Sequence, residues 1–302
     1  MNIQKKWYLS SIKVDESPLI DRSLSVLLKH YLTWTQGTLW NIKNRWDHKL
    51  RHTIGVLYSG NKILDLIKKN EKILELTSKT ETKARVSLIL HDLWRFYQND
   101  WNNRILKDNK DFKDWKIFNH WKWGYDISKK EWFPEDICLA VKYHNKKDIK
   151  WLFEEEFYKN LKTEVEKEEL KFLVEITRDS DKITNMIHMV YELNRISRLD
   201  ESNKWNDINS RIIENFKNNE SVNNEDVKSS IDVILRQYAF IFDINNKKES
   251  FNILKDSWYF TKIKEILNNE IKKELKNNEN NKKLKQIFTS VDEYLNNYMK
   301  TR

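Results

Sequence analysis

A chain of 302 residues with only four glycines and two prolines has little from which to build tight turns. Left-handed turn positions call for glycine, and proline breaks helices and central strands alike. A scarcity of both leaves long, uninterrupted elements. Apolar residues recur at three- and four-residue spacing, and no run alternates as a half-buried strand does. The fold class that follows is all-α. Hydrophobic residues make up 39% and charged residues 33%, with 13 Trp, 12 Tyr and 13 Phe. Aromatics in that number can fill a core despite the polar average, so the chain reads as folded rather than disordered.

Several chemistries are excluded early. A single cysteine, Cys138, rules out a disulfide framework and a thiolate zinc cluster, and its apolar helical surroundings mark it as core. The start, MNIQKKWYLSS, has no apolar segment long enough for a signal peptide, and no later run is long enough to span a bilayer. The expectation is a cytoplasmic protein without a membrane partner. The formal charge of +9 favours an anionic partner, either a small molecule or a nucleic acid. Solvated, lysine-rich helix faces are the alternative source of that charge.

Helices can be placed along the chain. Asp21 is read as the cap of a helix from about Arg22 to Trp40. A second helix contains His52, with Val56, Ser59 and Ile63 following at i+4, i+7 and i+11, so His52 heads an inward stripe. Ser78 with Glu81 fits a capping box for a third. Residues 99–114 read as a polar loop beside that helix. Pro134 suits the first position of another, on which Ile137, Val141 and His144 share a face. A charged helix is expected from about Glu154 to Glu169, followed by an apolar one carrying Asp181. Beyond Leu199 the chain turns rich in Asn and Lys. Apolar positions there (Ile231, Ile234, Leu235, Tyr238, Ile241) keep helical spacing, and one or two charged helices are expected over Lys262–Leu284.

The segment ARVSLILHDLWRFYQ, Ala84 to Gln98, carries the strongest chemical signal. Its apolar run ends in His91-Asp92, and burying a carboxylate is costly unless it is paired or bound to a metal. His52, His120, His144 and Asp181 lie on or at the end of other apolar helical segments. Imidazole and carboxylate without thiolate suit Mn, Fe, Ni, Zn or Mg. Six such side chains exceed what one tetrahedral ion needs, which leaves room for two ions sharing a carboxylate.

Five local segments share this order and wording with one family. RHTIGVLYSGNKI, LILHDLWRFYQ, NHWKWG, DICLAVKYHNK and ITRDSDKITN together resemble the HD-domain superfamily of metal-dependent phosphohydrolases, over about residues 45–190. There the pattern runs His, His-Asp, Asp, with two further His in many members. The resemblance implies an HD-type helical bundle, with residues 1–198 as the phosphohydrolase domain and 199–302 as a C-terminal helical region. It implies His52, His91, Asp92 and Asp181 as ligands of a first divalent ion, and His120 and His144 as ligands of a second, with Asp92 bridging. Two ions about 3.5–4 Å apart would activate a water for attack on phosphorus. Catalytic roles fall to Asp92, Arg95 and Lys182. Arg95, Gln98, Asn145 and Lys182 are the candidate substrate contacts. An ion pair to a ligand carboxylate is the alternative for Arg95 and Lys182. Trp94, where relatives carry Gly, and Asn119, where they carry Asp, are departures beside the pocket. The same ligand set also occurs in the superfamily's di-iron oxygenases. A non-catalytic module, with the C-terminal helices serving oligomerisation or a protein partner, is the third reading.

Overall fold

The computed structural model describes residues 17–35, 40–69, 76–93, 120–146, 149–191, 208–274 and 278–299. Among these, regular structure is helical throughout. The chain falls into two compact units, residues 1–181 and 182–302. No helix among the described residues is long and apolar enough to cross a membrane.

The first unit holds α1 (Pro18–Thr35), α2 (Trp40–Lys69), α3 (Ser78–Leu90), α4 (His120–Lys130), α5 (Glu135–Tyr143), a 3-10 turn (Lys150–Glu154), the short α6 (Glu156–Lys159) and most of α7 (Glu164–Tyr191). Helices α1 and α2 pack on α3, α3 on α5, and α4 on α5. Their shared interior is built from Leu27, Val56, Leu57, Leu88, Leu90, Leu93, Phe133, Cys138 and Val141. The Cys138 thiol is fully buried, and burial pushes it up to about 12, so it is a packing residue.

Helix starts depart from the expected ones for identifiable reasons. Helix α1 begins at Pro18 rather than Arg22, because proline fits the first helical position, where no N–H is needed. Asp21 then sits in the first turn, next to the helix dipole's positive end. The cap of α3 is Thr77, not Ser78. Thr77 Oγ1 accepts from the Thr80 N–H at 3.1 Å. Glu81 is drawn instead into ion pairs with Lys68 at 2.7 Å and Arg85 at 3.2 Å. The charged helix expected over Glu154–Glu169 is broken in two. Thr163 and Glu166 cap α7 reciprocally, Glu166 N–H to Thr163 Oγ1 at 3.2 Å and Thr163 N–H to Glu166 Oε2 at 3.0 Å. The helix that carries Asp181 therefore starts at Glu164. The loop expected at 99–114 lies outside the described residues.

The second unit contains the end of α7, α8 (Ser210–Lys217), α9 (Ser230–Tyr238), α10 (Lys247–Asp256), α11 (Tyr259–Glu274) and α12 (Asn278–Met299). Ser229 and Asp232 form a capping box at the start of α9. The stripe Ile231, Ile234, Leu235, Tyr238 and Ile241 is buried, with Phe216, Phe251, Tyr259 and Val291. Edge-to-face rings link Phe216, Phe242 and Tyr294. Helices α11 and α12 take up the expected charged segment over Lys262–Leu284.

Candidate metal centre

Two of the histidines are placed by one local device. His91 and His144 each sit immediately after the last residue of a helix, α3 and α5 respectively. The final carbonyls of a helix lack intrahelical partners. In both cases the imidazole Nδ1–H turns back and donates to the carbonyl three residues earlier. The distances are 2.8 Å from His91 to Leu88 O and 2.6 Å from His144 to Val141 O. A carbonyl can only accept, so Nδ1 carries a proton, and in a neutral ring Nε2 is the nitrogen that presents a lone pair. The termination of the helix thus fixes the tautomer a metal ligand needs. Gly124 admits α4 closely here. A Cβ at that position would meet Val141 Cγ1 at 3.0 Å and the His91 carbonyl at 3.8 Å.

These Nε2 atoms converge on two carboxylates. His52 Nε2 donates to Asp181 Oδ1 at 2.9 Å. His91 Nε2 lies 3.9 Å from Asp181 Oδ1 and 3.9 Å from Asp92 Oδ2. His52 Nε2 is also 3.9 Å from Asp92 Oδ2, whereas His144 Nε2 is 3.8 Å from the other oxygen, Asp92 Oδ1. The His91 ring lies 5.4 Å from the rings of both His52 and His144, centroid to centroid. One ligand atom each from His52, His91 and Asp181 falls within 4.8 Å of the others, so this trio could hold a metal ion.

The electrostatics agree with that geometry. Burial lowers the His91 pKa to about 4, against the pull of Asp92 and Asp181, so the ring is neutral near pH 7. Its Nε2 is buried and makes no hydrogen bond among the described residues. A buried acceptor without a donor is costly unless something outside the protein satisfies it. Burial also opposes ionisation of Asp181. The hydrogen bond from His52, with the nearby His91 and His144 rings, outweighs it and holds the carboxyl well below the usual carboxylate range. A neutral nitrogen lone pair beside the ionised Asp181 carboxylate fits a divalent cation of hard or borderline character.

Two further residues shape the site. Lys49 Nζ lies 3.7 Å from Asp92 Oδ2. It stands one helical turn before His52 on the same face, and that i−3 spacing was the signal that could have singled it out. Arg178 is almost fully buried and donates from Nη1 to the Lys146 carbonyl. It thereby ties α7 to the turn that follows His144.

The structure thus brings together His52, His91, Asp92, His144 and Asp181, and adds Lys49. His120 opens α4, but its side chain lies outside the described residues, as do Trp94, Arg95, Gln98 and Asn119. Asn145 is exposed in the turn directly after His144. Lys182 follows Asp181 but is engaged elsewhere. Its ammonium pairs with Asp243 Oδ2 at 2.6 Å and donates to the Asp243 carbonyl at 3.0 Å.

The model of the HD domain matches residues 50–186, the stretch that holds His52, His91, Asp92, His144 and Asp181. Comparison with the curated proteins and with the solved structures gave no match. The HD superfamily is one of metal-dependent hydrolases whose members bind divalent ions. Residues 50–186, a little under half of the chain, match the HD domain and are consistent with the HD-domain superfamily.

Proposed function

We propose that the protein is a metal-dependent phosphohydrolase, a phosphodiesterase or nucleotidase acting on the phosphate of a nucleotide or nucleic acid. The observation that carries this reading is the division of Asp92. Its Oδ2 faces His52, His91 and Lys49, and its Oδ1 faces His144. A carboxylate with a different nitrogen partner on each oxygen is suited to bridge two cations. His52, His91, Asp92 and Asp181 would hold one ion. His144 with Asp92, and His120 by resemblance, would hold the other. Divalent ions bound there supply a water of lowered pKa and a Lewis acid for phosphoryl oxygens. Candidate ions are Mn, Fe, Ni, Mg or Zn.

The chain's own residues do the rest. Neutral His91 presents a lone pair, and the rings of His91 and His144 are both oriented by their backbone hydrogen bonds. Asp181 stays ionised across the neutral range. Lys49 brings a positive charge to the edge of the site, where it meets non-bridging oxygens of a bound phosphate. Lys182, engaged by Asp243, is the weaker phosphate contact of the two; Arg95 and Gln98 are carried by resemblance alone. The net charge of +9 supports an anionic substrate. A cytoplasmic location, and oligomerisation or partner binding through the C-terminal helices, complete the proposal.

The test is metal analysis of the purified protein beside a hydrolysis screen. The screen covers nucleotides, cyclic dinucleotides and short single-stranded DNA and RNA, each with Mn or Mg. Metal-dependent release of phosphate or nucleotide is the expected result. Iron with oxygen consumption and no phosphoester turnover would move the assignment to the oxygenase branch.

A further inference from the structure

Gly60 stands where three ligand-bearing helices meet with no room for a side chain. It lies on α2, a little over two turns beyond His52. A Cβ there would sit 2.2 Å from Leu88 Cδ1, 3.0 Å from Leu88 Cδ2 and 3.0 Å from Ser180 Oγ. Carbon atoms do not approach to 2.2 Å, so either the Leu88 side chain or a helix must shift. Each obstructing residue is coupled to a ligand. The Leu88 carbonyl accepts the Nδ1–H that orients His91. Ser180 directly precedes Asp181, and its hydroxyl donates to the Ile176 carbonyl at 2.6 Å, which holds it in place. Leu88 is fully buried, and in a close-packed interior a displaced side chain must push on its neighbours.

We infer that Gly60 is a positioning residue for the metal centre. It sets the separation of α2 from α3 and α7, and hence the reach of His52 to Asp181 and of both to His91. Helix propensity argues the other way, because glycine inside a helix is unfavourable relative to alanine. Gly60 therefore stands where local preference is overruled by the close approach of two other helices. The inference rests on the metal reading above and extends it from the ligands to the packing that spaces them.

The test uses the full-length chain and Co(II), whose absorption bands report ligand geometry. Four proteins are compared: wild type, Gly60→Ala, Leu88→Val and the double variant. Co(II) affinity and spectrum are measured, with thermal unfolding in chelator alongside. Gly60→Ala is expected to bind Co(II) about 10–100-fold more weakly, as loss of support behind metal ligands usually does, with shifted bands. Leu88→Val removes both Cδ atoms and keeps a branched apolar side chain. It should bind close to wild type, and the double variant should recover most of the lost affinity and the original spectrum. Wild-type affinity in Gly60→Ala overturns the inference. So does a loss that Leu88→Val fails to rescue, since the contact would then not be its cause. A wild-type protein that itself binds no Co(II) overturns the metal reading instead, a result distinct from a defect confined to Gly60→Ala.

Discussion

Acidifying the metal-free protein forces a proton onto His91, and the size of the effect can be worked out in advance. The ring is buried and neutral, and its pKa is lowered from 6.5 to about 4. The unfolded chain binds this proton more readily than the folded one, so acid favours unfolding. The stability tied to His91 is fully present above pH 6.5, is lost as the pH falls, and levels off below about 4. At ~1.4 kcal/mol per pH unit, a fall from 6.5 to about 4 corresponds to about 3 kcal/mol. Asp181 adds loss of the same sign at the acid end, because its carboxyl is held low partly by His52 and His91. The assay is denaturant unfolding in chelator at pH 7.5, 6.5, 5.5 and 4.5, for wild type and His91→Leu. Wild type should lose about 2–3 kcal/mol more than the variant across that range, following the linkage above. A saturating divalent ion should flatten the wild-type curve, because it competes with the proton for Nε2. Equal pH slopes for the two proteins would show that His91 is not held neutral by burial, and the argument for a lone pair awaiting a cation would fail.

Two further substitutions separate charge from packing. Lys49→Met should lower kcat/KM on a phosphoester by about 10–100-fold, the worth of a charge-assisted hydrogen bond, without changing metal content. Unchanged kinetics would remove Lys49 from the site. Asp243→Asn leaves the Lys182 ammonium, only 7% exposed, without its carboxylate. With Asp243 itself partly exposed, the cost should be about 2 kcal/mol, below the range for fully buried pairs. Pairing it with Lys182→Met should recover most of that in denaturant unfolding.

What could be read from the sequence was the chemistry that local context marks. His91-Asp92 stands at the end of an apolar run, and His52 and His144 share faces with apolar neighbours, so the pattern of residues alone turns each of them inward. Such signals survive because a helix repeats every 3.6 residues whatever lies around it. Less legible were choices made between near-equal local options. Thr77 caps α3 although Ser78 has the same chemistry, because Glu81 is claimed by Lys68 and Arg85. The break at 160–163 had a local signal, Thr163 with Glu166 as a capping box, but the charged, helix-favouring residues on either side of it masked that signal. Lys49 and Asp243 were missed for a different reason. One is a lysine among 55 basic residues and the other an acid 61 positions from its partner, and only the folded chain shows which charge each one meets. Gly60 carried no signal at all, since a glycine inside a helical pattern is as easily an accident as a packing requirement.

The most direct measurement is the metal content of wild type and Asp92→Ala, each loaded with excess Mn(II) or Co(II), stripped of loosely bound ion and assayed for phosphoester hydrolysis. Asp92 places one oxygen toward His52 and His91 and the other toward His144, so on the proposed reading its removal should dismantle both halves of the centre. Wild type should retain tightly bound ion, up to two per chain, and hydrolyse a phosphoester. Asp92→Ala, still folded by circular dichroism, should retain none and be inactive. An Asp92→Ala protein that keeps its ions and full turnover would contradict the assignment of this cluster as the metal centre.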